Sequence, residues 1–352
     1  MKKQRNFSPR AYWDAIAAEH TPELAFRGET RADFNAWHAA AYDRLERLLG
    51  RFPKPVPLDP QVEYSLELEG LVRERILLDT EAHMSIPCIL LKPKTMRPDG
   101  QNAAILCCHG HGPGKDAVAG VRDSPENAAF IDWHNFDFGV QMARAGFMTL
   151  CPELRGFGER LDHPSPYPGR DSCNVDYIKG TLLGYYPLTL NLWDIGRCVD
   201  YLQTRPEVEP SRIGMMGISG GGTMTTFCAA YDRRIRAADI IGYVNPFEGF
   251  AIRRANFCGM QILPDLYRYL DTDDVAGLIA PRPLLLEMGM FDECFPIQDL
   301  LAGYEGVRRI YEAAGCPELL EADIFSGPHA FGGNKAVDFF TKHLKSSEPI
   351  GG

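Results

Sequence analysis

The stretch Ile213-Gly214-Met215-Met216-Gly217-Ile218-Ser219-Gly220-Gly221-Gly222-Thr223-Met224 decides how this chain is read. Its first half, Ile213–Met216, is the short apolar run of a buried strand, and Thr223 to Tyr231 is compatible with a helix. Between them stands G-x-S-x-G, Gly217-Ile218-Ser219-Gly220-Gly221. A turn this sharp pushes the Ser219 hydroxyl out of the chain at the cost of a strained backbone. Glycines flank it because side chains there would clash with the adjoining strand and helix. Ligands of open parallel sheets gather at the carboxyl ends of strands, where this serine would stand.

Working outward, the same alternation recurs. Apolar runs lie at 104–108, 147–151, 213–216, 240–244, 284–288 and 322–325, with helix-compatible segments near 127–145, 190–204, 220–231, 297–314 and 332–345. Continuous apolar strands separated by helices imply an α/β fold with a mostly parallel central sheet and helices on both faces. Three further strand-like runs, 64–68, 72–78 and 86–91, precede it. Residues 9 to about 50 read as helical, with Trp13, Ile16 and Ala17, then Phe34, Trp37, Ala41, Leu45 and Leu48 at helical spacing, and Gly50 as the stop. Four prolines between Pro53 and Pro60 make a stiff connector. The division expected is a helical N-terminal extension, 1–60, packed on a catalytic domain, 61–352. Insertions near 159–188 and 246–275 are long enough to serve as lids or binding loops.

The chain has 352 residues, 45% hydrophobic and 24% charged, as in ordinary globular proteins. A net charge of −10 without a basic run argues against nucleic acid and anionic membrane as partners. No signal peptide and no apolar stretch approaching a membrane span is visible. The ten cysteines form no C-x-x-C pair and several sit within apolar runs, as buried thiols in a reducing, cytoplasmic setting. Self-association is left open.

A serine needs a base, and the base an orienting acid. In this type of fold the order along the chain is serine, acid, histidine. Two histidines follow Ser219: His343 on the polar face of a terminal helix, and His329 in Gly327-Pro328-His329, a turn after the last strand. His329 is therefore the expected base. Asp292 is the first acid beyond the strand 284–288 and is favoured over its neighbour Glu293 and over Glu287 inside the strand. Two backbone N–H groups should form the oxyanion hole, those of Gly220 and, in Cys108-His109-Gly110-His111-Gly112, of His111. The pair His109-x-His111 has a metal-site reading, but glycine and proline follow where a binuclear zinc site would place Asp and His, so neither metal nor cofactor is expected. Phe157, Tyr185, Tyr186, Trp193, Tyr243 and Phe247 are candidate substrate-binding aromatics. Arg155 and Asp194 are a possible pair across the sheet face.

Taken together, His109-Gly110-His111, Arg155-Gly156-Phe157-Gly158, Gly217-Ile218-Ser219-Gly220-Gly221-Gly222, Gly289-x-x-Asp292-x-x-x-Pro296 and Gly327-Pro328-His329 resemble the dienelactone hydrolase and acetyl xylan esterase branch of the α/β-hydrolases over residues 86–345. The resemblance implies an α/β-hydrolase fold, Ser219 as nucleophile, Asp292 as acid, His329 as base, oxyanion donors at His111 and Gly220, no cofactor, and a small-molecule ester as substrate. Ser219 stands where dienelactone hydrolases proper carry Cys. His111 and Gly220 stand where cephalosporin-deacetylating esterases carry Tyr and Gln. Three other functions share these residues. One is a peptidase or amidase, but oligopeptidases of this fold carry a β-propeller before the catalytic domain, and the roughly 100 residues before the third strand leave no room for one. A silent binding protein usually lacks a triad member. An acyltransferase differs only in the acceptor.

Overall fold

The computed structural model describes residues 5–161 and 171–345, so parts of the expected extension, of the first insertion and of the C-terminus lie outside the described residues. Among the described residues the six apolar runs and the three strand-like runs before them become strands: β1 Gln61–Leu68, β2 Leu71–Glu81, β3 Met84–Pro93, β4 Asn102–Cys108, β5 Met148–Pro152, β6 Val208–Ile218, β7 Ala237–Ile241, β8 Leu284–Gly289 and β9 Leu320–Phe325. They make one sheet in the order β1-β2-β3-β5-β4-β6-β7-β8-β9. β1, β2, β3 and β5 pair antiparallel in turn. From β5 to β9 every pair is parallel.

Apolar runs suit this sheet because both faces are covered. On β4, Ala104, Leu106 and Cys108 enter one core cluster, while Ala103, Ile105 and Cys107 enter the other. Helices Pro187–Thr204 and Gly220–Tyr231 bury Leu192, Ile195, Val199 and Phe227 on the first face. Phe138, Met142 and Phe340 fill the second.

Three boundaries differ from the sequence reading. β7 stops at Ile241 rather than 244 because Gly242 takes φ +54, which leaves the strand. The expected helix 127–145 is two, Pro125–His134 and Phe138–Arg144. Asn135 breaks it in the left-handed conformation and donates its amide to Phe331 O at 3.0 Å. The last helix begins at Ala336, not 332, because the Gly332 and Gly333 N–H groups donate to Glu287.

Helix Arg31–Leu49 starts with a Thr30–Asp33 capping box and ends at Gly50, φ +69. Its stripe of Phe34, Ala41, Leu45 and Leu49 joins the core cluster of the first face. The earlier helix, Pro9–Glu19, buries only Ala17 and leaves Trp13 57% and Ile16 48% exposed, so the apolar spacing read there does not face the core. Residues between the two helices are held to a distant loop: Glu23 and Leu24 N–H donate to Arg268 O and Tyr269 O, both at 2.9 Å. No helix among the described residues is long and apolar enough to cross a membrane. All ten cysteines are free thiols.

Candidate active site

Ser219 joins the end of β6 to helix Gly220–Tyr231 with φ +59 and ψ −117, a strained backbone for a residue with a side chain. The crowding that requires glycine is visible: a Cβ on Gly217 would lie 2.5 Å from Gly221 O, and one on Gly221 would lie 2.1 Å from Cys108 O. The strain is held from one side by Ser219 N–H, which donates to Ile241 O at 3.0 Å.

The loop after β8 supplies Asp292. Its Oδ1 accepts the Cys294 and Phe295 N–H groups at 2.8 and 2.7 Å, which leaves Oδ2 for His329 Nδ1 at 2.7 Å. The Asp292 side chain is 1% exposed, and the ring of Phe295 stacks on the His329 imidazole at 5.4 Å. His329 is fixed at its backbone too: its N–H reaches Glu293 Oε2 at 3.4 Å and its carbonyl lies 2.6 Å from His134 Nδ1. Ser219 and His329 both lie against the end of β7. Ser219 is bonded to Ile241, and the His329 ring lies 3.1 Å from where a Cβ on the next residue, Gly242, would be.

The loop after β4 runs beside this serine. A Cβ on Gly110 would lie 2.9 Å from Ser219 Cβ. The His109 ring is a buried strut, accepting Leu154 N–H on Nε2 at 3.0 Å while Nδ1 contacts Gly110 O at 2.7 Å. Glu153, also buried, bonds Lys115 through its backbone N–H and its Nζ. Burial alone would raise the Glu153 carboxyl, but His109 and then Lys115 outweigh it and hold it at about 2. His111 stands over the elbow, with Nδ1 3.3 Å from the Cβ position of Gly220 and the Met260 methyl 3.5 Å from the same point. The backbone N–H of Gly220 opens the helix, where N–H groups lack an intrahelical partner and helices favour negative charge.

Of the aromatics read from sequence, Phe157 is at the site, edge-on to His109 and His111 at 5.3 and 5.1 Å. Tyr243 lies one layer behind, buried against Phe295 and Phe257. Phe247 packs farther out, on Phe257 and Tyr267. Tyr185, Tyr186 and Trp193 are placed elsewhere: Tyr185 faces Arg51, Tyr186 abuts Gly50, and Trp193 donates to Thr80 O at 2.9 Å. Tyr186 and Trp193 cover the N-terminal connector and β2, and Tyr185 also lines a cavity of about 810 Å³ with Arg155 and Pro187, which does not include the serine. Arg155 and Asp194 do pair, through Nε at 2.7 Å and an Nη at 2.9 Å, with Arg160 and Glu81 completing a buried network.

Two features escaped the sequence reading. Glu287, weighed there as a rival acid, holds the far side of the His329 loop, accepting Gly332 and Gly333 N–H at 2.8 and 3.2 Å. Burial pushes its carboxyl up to about 8, with Asp323 adding to the effect. Both insertions also reach the site, Met260 from one and, behind it, Cys173 from the other; sequence spacing carries no signal for either contact.

A strand order of this kind, with an elbow serine after β6, an acid after β8 and a histidine after β9, is that of the α/β-hydrolases, and the chain has the α/β-hydrolase fold. Among particular proteins it is similar to "Putative hydrolase YtaP" of Bacillus subtilis (strain 168), 28% identical over 307 residues that cover 86% of this chain and 98% of that one. Residues 196–253, which contain the elbow, match the family "BAAT / Acyl-CoA thioester hydrolase C terminal". Among solved structures, the "putative acetyl xylan esterase" BF1801 from Bacteroides fragilis NCTC 9343 superposes with TM-score 0.72 at 18% identity, covering 92% of this chain and 84% of that one. A CE15 glucuronoyl esterase from Teredinibacter turnerae T7901 gives TM-score 0.65 at 16% identity, with 93% and 90% covered.

Proposed function

We propose that the chain is a serine esterase that cleaves small carboxylic esters through an acyl-enzyme. The observation that carries this is the His329 Nδ1–Asp292 Oδ2 contact of 2.7 Å beside an elbow serine at φ +59. Asp292 holds His329 with its Nδ1 protonated, so that Nε2 accepts the Ser219 proton as Oγ attacks the ester carbonyl. The N–H groups of Gly220 and His111 stabilise the oxyanion, each such donor contributing about 3–4 kcal/mol to the barrier. His329 then protonates the leaving alcohol, and water repeats the sequence on the acyl-enzyme. No step calls for a cofactor.

The similarity to a hydrolase of Bacillus subtilis and to carbohydrate-esterase structures supports an ester substrate, with an acetylated or otherwise esterified sugar as the leading class. His111 and Met260 lie against Gly220, with Phe157 packed on the His111 ring, and this bulk at the elbow favours short acyl groups. The match of residues 196–253 to an acyl-CoA thioester hydrolase family favours a second reading, an acyl thioester as donor.

The test is a p-nitrophenyl acyl series from acetate to decanoate, run beside an acyl-thioester series, on wild type and Ser219→Ala. A fluorophosphonate probe with peptide mapping reports the labelled residue. Turnover of short oxygen esters, labelling at Ser219 and background rates in Ser219→Ala are expected. Equal activity of the two proteins, or labelling elsewhere, would refute the assignment. A preference for thioesters selects the second reading.

A further inference from the structure

We propose that His111, Cys173 and Cys258 form a binding site for one thiophilic divalent cation of the Zn2+ class, at the junction of the oxyanion loop and the two insertions. It uses none of Ser219, Asp292 or His329 and shares only His111 with the esterase reading, which draws on that residue's backbone N–H while the ion would take its ring nitrogen.

The three side chains come from three separate segments, yet His111 Nε2 and the two Sγ atoms all lie within 4.8 Å of one another. His111 Nε2 is 3.2 Å from Cys258 Sγ. Bond lengths of about 2.3 Å to sulfur and about 2.0 Å to nitrogen at tetrahedral angles put ligand atoms roughly 3.5–3.8 Å apart. The His111–Cys258 spacing falls just short of that value and no ligand pair exceeds 4.8 Å, so the three donors already converge on one point. Two cysteines and one histidine are a soft donor set that selects zinc-like ions over magnesium or calcium, and they leave a fourth position for water.

The geometry is built from the backbone. Gly259 N–H donates to Asn174 Oδ1 at 2.8 Å, a bond between the residues that follow Cys258 and Cys173, so the two thiols are fixed relative to each other. Helix Ser172–Leu183 and the 258–261 turn approach so closely that a Cβ on Gly259 would lie 2.2 Å from Tyr177 Cβ and 2.8 Å from Cys173 O. Gln261 continues the support from below, its amide donating to Thr223 Oγ1 at 2.9 Å in the helix after Ser219. The His111 ring is braced edge-on by Phe157 at 5.1 Å. Cys173 is 3% and Cys258 8% exposed, so the sulfurs are shielded, while His111 lies at the surface and gives the ion a way in. The neighbouring thiol and burial hold the Cys173 proton well above the ordinary thiol range. Binding therefore releases both thiol protons as two thiolates form.

The test uses the full chain, reduced and stripped with a chelator, then titrated with Co2+ and separately with Zn2+. One Co2+ per chain is expected, with a near-ultraviolet thiolate-to-cobalt charge-transfer band. One Zn2+ per chain should survive desalting, raise the melting temperature, and protect Cys173 and Cys258 from alkylation while leaving Cys294 reactive. The double variant Cys173→Ser/Cys258→Ser should lose the band, the retained zinc and the thermal shift. Should that variant not fold, His111→Gln and the wild-type alkylation pattern read the same site. Cobalt bound without a thiolate band, zinc retained undiminished by the variants, alkylation of both cysteines unaffected by zinc, or a Cys173–Cys258 disulfide in place of bound metal after mild peroxide-free handling would each overturn the proposal.

Discussion

Replacing Asp292 by Asn tests the proposed chemistry with little disturbance to the fold. An Asn at this place retains an oxygen that can accept the Cys294 and Phe295 N–H groups, now held at 2.8 and 2.7 Å, so the loop keeps its shape. Its NH2 then faces His329 Nδ1 in place of the carboxylate oxygen at 2.7 Å. An amide N–H can only donate, so Nδ1 must become the acceptor and the proton moves to Nε2, the nitrogen that should accept from Ser219. The enzyme loses both the working tautomer and the charge that stabilises the imidazolium. An inversion of this type costs about four decades in kcat, equivalent to about 5.4 kcal/mol in the barrier. The assay is p-nitrophenyl acetate hydrolysis by parent and Asp292→Asn at matched concentration, with thermal melts of both. The expected outcome is a fall of three to five decades with a melting temperature close to the parent's. A fall of less than tenfold in a variant that melts like the parent would refute the role given to Asp292.

Three further outcomes follow from the packing. Glu287 titrates near 8 when folded against an ordinary 4.5, so the native state binds the extra proton between those values. Its stabilising contribution is complete below about pH 4.5 and is lost as pH rises through 8; urea midpoints from pH 5 to 9 should slope downward in wild type and less so in Glu287→Gln, and parallel slopes would contradict this. Asp194→Ala leaves Arg155 and Arg160 buried without their shared carboxylate, and urea denaturation should show a loss of about 3–5 kcal/mol. Leu45→Ala, at a side chain with no exposure, should cost about 2–5 kcal/mol within a single unfolding transition; a separate early transition would mean that the N-terminal helices melt on their own.

The sheet was legible because every strand buried on both faces must be apolar throughout, and runs such as Ile105-Leu106-Cys107 say so without ambiguity. Ser219, Asp292 and His329 could be singled out because each stands in the first loop after a strand, those of Ser219 and Asp292 following buried strands. Tyr186 and Trp193 pack on the connector and β2, and Tyr185 lines a cavity beside Arg155 and Pro187 that does not include Ser219, because an aromatic side chain reads the same in each of these settings; only the packing decides. Glu287 read as an oddity in an apolar strand, since its partners are two backbone groups 45 and 46 residues away. Cys258 lies 147 residues from His111, a separation over which composition and period carry no information.

The stitching of the N-terminal segment to the far end of the chain has a consequence for biosynthesis. Phe26 N–H is bonded to Asp274 Oδ1 across 248 residues, and the His38 ring lies 3.1 Å from Leu278 O across 240. At 5–20 residues per second, a ribosome needs roughly 10–50 s to make the segment that receives them. Through that interval these two bonds cannot form, although Leu49 O can accept Thr189 Oγ1–H as soon as residue 189 is made. These helices thus wait with part of their contacts unmade until the far end of the chain is synthesised, which makes them a natural place for a chaperone to hold.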